Sequence, residues 1–126
     1  MPKSQAGTIV KWLDAPEEHD YPAAESYLSL LMADDAVAAS VRRLRSAPVQ
    51  TFKAKDIFRA SGLSLLGVSN SHVDRDRHKI RDGKALSPLL LVRDPAHGRV
   101  IIADGYHRLC AVYSIDEDAV VPCKIA

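Results

Sequence analysis

Ile102-Ala103-Asp104-Gly105-Tyr106-His107-Arg108 marks the point where a buried strand ends and a helix begins. Arg99 to Ala103 is apolar on both faces, the pattern of a strand interior to a sheet. Asp104-Gly105 breaks that run, and His107 to Ile115 then places Leu109, Val112 and Tyr113 on one helical face. The first N–H groups of a helix have no partner within it, and the helix dipole adds partial positive charge there. Gly105 allows a positive φ and leaves the backbone open to close approach. Arg108 supplies a planar donor pair for phosphate or carboxylate oxygens, and His107 donates to oxygen or moves a proton near neutral pH. Asp104 has three candidate roles: holding His107, coordinating a magnesium ion, or capping the helix. The turn therefore reads as a phosphate-sized anion site, with Gly105, Tyr106 and His107 offering backbone donors.

Outward from this turn, Leu89 to Arg93 is a β-branched and leucine-rich strand after Pro88. Asp94 to Gly98 is a hairpin-length loop, and Val120 to Ile125 is a last strand. Upstream, Thr8 to Leu13 reads as a short strand or extended arm. Pro22 begins a helix running to Met32, with Tyr27, Leu28, Leu30 and Leu31 as its apolar stripe. Asp34 and Asp35 look like the cap and first turn of a second helix, with Val37, Val41 and Leu44 inward and arginines at its end. These two helices are read as core and as a candidate homodimer surface. Val49 to Phe52 is a strand, Ala54 to Ala60 a short helix ended near Gly62, and Ser64 to Ser71 a loop. Val73 to Arg81 is a charged helix with Val73, Arg77 and Ile80 on one side. The expected fold is a mixed α+β domain over 1–126, with a helical N-terminal extension at 1–48 and a core at 49–126.

Bulk properties narrow the function. The 126 residues carry 47% apolar and 26% charged side chains, which suits one globular core. A formal net charge of +1 lacks the basic excess of a nucleic-acid coat and weighs against DNA as a partner. The longest apolar run, Leu89 to Val92, falls far short of the roughly 20 residues of a membrane span, and Met1 to Gln5 has no signal-peptide core. The expected compartment is the cytoplasm. Cys110 and Cys123 lack metal-type spacing and read as two reduced, buried thiols.

Pro88 to Arg93, Val100 to Ala111 and Val121 to Ile125 together resemble the ParB N-terminal/sulfiredoxin-like superfamily. In that superfamily a strand passes through a Gly-x-x-Arg turn, here Gly105 to Arg108, into a helix whose N-terminus holds nucleotide phosphates. The resemblance implies a small mixed sheet flanked by helices. It covers the C-terminal 40 residues well and the upstream chain only in layout. Sulfiredoxins carry Gly-Cys-His-Arg, and Tyr106 stands where their cysteine falls, so sulfinic acid reduction is not expected. Cys110 lies one helical turn too deep to replace it. Partition ParB proteins carry Gly-Glu-Arg-Arg, bind CTP and continue into a helix-turn-helix domain. No such domain is expected in a chain ending at Ala126. The motif is most similar to that of ParB-like small enzymes with an Asp-Gly-His-x-Arg turn, among them ATP- or ADP-dependent kinases of free serine. That likeness would make Asp104 and His107 catalytic and Arg108 a phosphate ligand, although Tyr106 stands at the motif's histidine.

The implied function is nucleotide or phosphate binding, as a phosphotransferase or NTP hydrolase using ATP, ADP or CTP with Mg2+. The alternatives are a non-catalytic interaction or regulatory module, such as a toxin–antitoxin partner, and a ParB-like nuclease. His72, placed in a polar loop after Asn70, and Lys79 in the charged segment are further candidate phosphate ligands. The competing reading of that segment is a solvated helix face laced with Asp74, Asp76 and Asp82. Glu17, Glu18, His19 and Asp20 form a weaker candidate metal patch.

Overall fold

A computed structural model describes residues 9–67 and 70–126. Thr8 of the expected N-terminal arm and Ser69 of the expected loop lie outside them. The described residues form helices α1 (Asp20–Leu28), α2 (Asp34–Ser46), α3 (Ala54–Ser61), α4 (Ser71–Arg81) and α5 (Tyr106–Ile115). The strands are β1 (Gln50–Lys53), β2 (Leu89–Asp94), β3 (Arg99–Asp104) and β4 (Val120–Ile125).

The four strands make one mixed sheet in the order β1-β4-β2-β3. β2 and β3 form an antiparallel hairpin over a single 3-10 turn at Pro95–His97. β4 returns beside β2 in parallel and pairs antiparallel with β1 on its other side. This corrects one expectation: β3 is an edge strand, not an interior one. Its two apolar faces arise because helices cover the sheet on both sides. Ile101 and Ala103 pack with Leu90 and Val92 against α1 and α2. Val100 and Ile102 pack with Leu89, Leu91, Val121 and Cys123 against α3, α4 and α5. The period-2 alternation of a strand sends one set of side chains into each core.

Three local expectations are corrected. α1 starts at Asp20 and not at Pro22, because Pro22 falls within the first turn, where its missing N–H is not needed. It ends at Leu28, and its buried stripe is Tyr21, Ala24 and Leu28, spaced three and four apart. Tyr27, Leu30 and Leu31 face outward instead, Leu30 with 81% of its surface exposed. α2 begins as expected, but Asp34 lies inside it and no side chain caps it at Ala33. Residues 11–13 run beside Leu86 as an extended arm, with Leu13 N–H donating to the Leu86 carbonyl at 2.8 Å. No described helix is long and apolar enough to cross a membrane.

Candidate functional site

β3 ends at Asp104, and Gly105 turns the chain into α5 with φ of +108°. That angle is open to glycine and strained for other residues. Space makes the same demand: a Cβ at Gly105 would sit 2.7 Å from Leu89 Cγ and 2.9 Å from Arg108 Nη2. Gly105 is the N-cap residue, and no side chain among the described residues caps α5. Asp104 is therefore not the cap of this helix. Nor does it hold His107: its Oδ2 accepts from Arg108 Nη2 at 3.1 Å, one turn along α5.

Arg108 lies largely inside the protein, its side chain 18% exposed. Nη2 also donates to the Pro88 carbonyl at 3.4 Å, while Nε is buried without a partner among the described residues. Burial pushes the Asp104 carboxyl above the usual carboxylate range; Arg108 opposes this, and the nearby Asp20 carboxyl adds to it.

The second wall is α4. Asn70 caps it, its Oδ1 accepting from the N–H groups of His72 and Val73, so His72 is helical and not in a loop. The His72 ring stacks on that of His107 with centroids 4.8 Å apart and planes tilted by 39°. Arg75, one turn on, donates to His72 Nδ1. A guanidinium only donates, so in this contact His72 Nδ1 is unprotonated and Nε2 carries the proton. Partial burial holds His107 below the ordinary histidine value; His72, Arg75 and Arg108 push the same way and Asp76 opposes them. His107 is therefore neutral at neutral pH, able to accept a proton.

Together α4 and the β3–α5 turn enclose an open polar cleft of about 190 Å³. Of the residues expected to form the site, His72, Asp104, Gly105, Tyr106, His107 and Arg108 all line it. Lys79 does not; it lies further along α4 and pairs with Asp76 at 4.0 Å. Arg75 and Asp76 line it unanticipated. Their signal was present in the sequence, since three and four residues separate them from His72 on one helix.

Tyr106 lines the cleft and also makes a structural contact. Its hydroxyl donates to the Ser64 carbonyl and so ties α5 to the segment after α3. Cys110, one turn below, is buried, and burial raises its thiol above the ordinary value. It is a packed thiol and not a nucleophile. Among the described residues no three His, Cys, Asp or Glu side chains are grouped to hold a metal ion. In the expected N-terminal patch, Asp20 turns inward to the Ser87 hydroxyl, which donates to it.

What fold and site define at this point is a class: a small mixed α+β protein with a donor-rich cleft at a strand-to-helix turn. Compared with family models, curated proteins and solved structures, the chain gives no match in any of the three.

Proposed function

We propose that this cleft binds the phosphate groups of a nucleotide, or another phosphate ligand, and that the chain is a small ParB/sulfiredoxin-like nucleotide-binding protein acting as a phosphotransferase or NTP hydrolase. One observation carries the reading: His72, Arg75, His107 and Arg108, from two helices distant in sequence, meet at the uncapped start of α5. Such an arrangement favours an anion, because two guanidiniums and an uncapped helix start converge on one open cleft.

In this reading the backbone N–H groups at the start of α5, which no described side chain caps, meet the phosphate oxygens. Arg108 neutralises charge that develops in transfer, from a position Asp104 fixes. His107, neutral at neutral pH, accepts the proton of the attacking hydroxyl or water. At about 190 Å³ the cleft suits phosphates and not a whole nucleotide, so base and ribose lie across its rim. Magnesium arrives on the phosphates, as it does where few carboxylates are offered.

Titration calorimetry with ATP, ADP and CTP, each with Mg2+, tests the reading. Heat with at least one of them, lost in Arg108→Ala, supports it. No heat with any, or equal binding by Arg108→Ala, overturns it.

A further inference from the structure

The charged side chains that line the cleft cancel in formal charge: Arg75 and Arg108 stand against Asp76 and Asp104. Each carboxylate is also engaged, Asp104 by Arg108 at 3.1 Å and Asp76 by Lys79 at 4.0 Å. Histidine is the side chain that ordinarily titrates near neutral pH, so His72 of α4 and His107 of α5 decide whether an anion meets net positive charge there. Tyr106 is the remaining titratable group lining the cleft. Its ring lies 5.6 Å from that of His107, and its hydroxyl donates to the Ser64 carbonyl.

The two histidines are not equivalent. His72 Nδ1 accepts from the Arg75 guanidinium. Protonation puts an N–H on that nitrogen, and two donors cannot share a hydrogen bond. The contact then breaks, His72 becomes a cation, and Arg75 is free to serve the cleft it lines. A single proton therefore adds two donors for an anion. His107 is placed differently, with its ring 4.8 Å from that of His72. A proton on His107 as well would set two imidazolium rings face to face beside two guanidiniums. Partial burial already holds His107 below the ordinary histidine value.

We infer that His72 is a proton-gated anchor for the anion of this cleft: once protonated it releases Arg75, and imidazolium and guanidinium take the anion together while His107 stays neutral. Anion binding takes up one proton and strengthens as pH falls. By reciprocity the bound anion raises the His72 midpoint. This gating rests on the phosphate reading above and adds its regulation by pH.

Histidine 1H–15N spectra of the whole chain test it from about pH 8 to about pH 5, the range in which histidine titrates. Sodium sulfate, dianionic throughout, is the probe, with sodium chloride at equal ionic strength as the reference. The His72 midpoint rises in saturating sulfate. Calorimetric sulfate affinity grows as pH falls, by up to about tenfold per pH unit, the limit for one linked proton. In His72→Gln that dependence is lost. Thermal unfolding shows whether the variant is folded, and the wild-type titrations decide even where it is not. Sulfate affinity independent of pH, or a His72 midpoint that sulfate leaves in place, overturns the inference. A pH dependence that survives in folded His72→Gln also overturns it, because the proton then sits on another group. No sulfate binding at any pH overturns it as well, and titration with ATP, ADP and CTP then decides separately on the phosphate reading.

Discussion

Arg108 and Asp104 face each other across the first turn of α5, Nη2 to Oδ2 at 3.1 Å, with the Nε–H of the arginine buried and without a partner among the described residues. The pair is held from outside as well, since the same Nη2 reaches the Pro88 carbonyl at the mouth of β2. An arginine so fixed is pre-organised, and little side-chain freedom remains to be lost when an anion binds.

Arg108→Lys tests that fixing. A lysine keeps the charge, but its single ammonium cannot reach Asp104, the Pro88 carbonyl and an anion in one plane. Hydrogen bonds to charged groups contribute about 1.5–3 kcal/mol each, so anion affinity falls roughly 10- to 100-fold. Calorimetry with pyrophosphate reads the loss. Binding at wild-type strength would show that charge alone, and not the planar fork, matters.

Gly105→Ala affects stability first. The new Cβ would have to adopt φ near +108° and would meet Leu89 Cγ at 2.7 Å, with Leu89 itself fully buried. Strain and overpacking each cost on the order of 1–3 kcal/mol, so unfolding moves down by roughly 10 °C. Calorimetric Tm checks this, and a Tm within about 2 °C of wild type would show that the turn relaxes without cost.

The His72–His107 stack sets the pH response of the cleft. Burial of His107 by its neighbours and the positive groups beside it lower its pKa. His72→Ala removes a stacked ring and a potential cation, so water enters and the His107 value rises toward its ordinary one. The sign for stability follows. A histidine held below its unfolded value favours the folded state above the unfolded pKa, and that contribution is lost as pH falls through the folded one. Wild type therefore loses stability on acidification through this window more steeply than His72→Ala does. A 1H–15N titration of the His107 ring and Tm against pH measure both effects; an unchanged or lower His107 pKa in the variant would contradict the account.

The strand–turn–helix unit was readable because its signals are local. An apolar run, Asp104-Gly105 and a helical period sit within fifteen residues. The hairpin of β2 and β3 was readable for the same reason, and its 3-10 turn falls inside the expected loop. What failed was long-range. An apolar strand buried by helices on both faces looks the same in sequence whether it is central or, like β3, at an edge. Asp20 reads as one of a candidate metal patch with Glu17, Glu18 and His19, because its partner Ser87 lies more than 60 residues away. His72 is a different case: Asn70 is an ordinary N-cap residue followed by a polar first turn, so the helix start was available locally. Turn-forming residues before it masked that signal. Cys110 and Cys123 were placed correctly, since both fall in apolar company on elements with clear periods.

Those thiols carry the remaining expectation. Burial pushes Cys123 from 9.0 to about 12 and raises Cys110 as well, against a lowering from the Leu66 N–H and Tyr106. At pH 8 the thiolate fraction of Cys123 is therefore on the order of 10⁻⁴, and its sulfur is also shielded from reagent. The folded chain should not react with a disulfide reagent at pH 8 over minutes, whereas the chain in denaturant exposes both thiols at once. Slow labelling of the folded chain then tracks opening and not intrinsic thiol chemistry. The linkage sign adds a second readout. A thiol whose folded pKa is raised favours the folded state below the unfolded value, and that contribution is lost as pH climbs from 9.0 toward about 12. Cys123→Ala should flatten this alkaline loss while lowering Tm at neutral pH through the cavity it leaves. A thiol that reacts within seconds in the folded chain, or an alkaline profile unchanged in Cys123→Ala, would mean that the β4 face of the sheet opens far more readily than its packing implies.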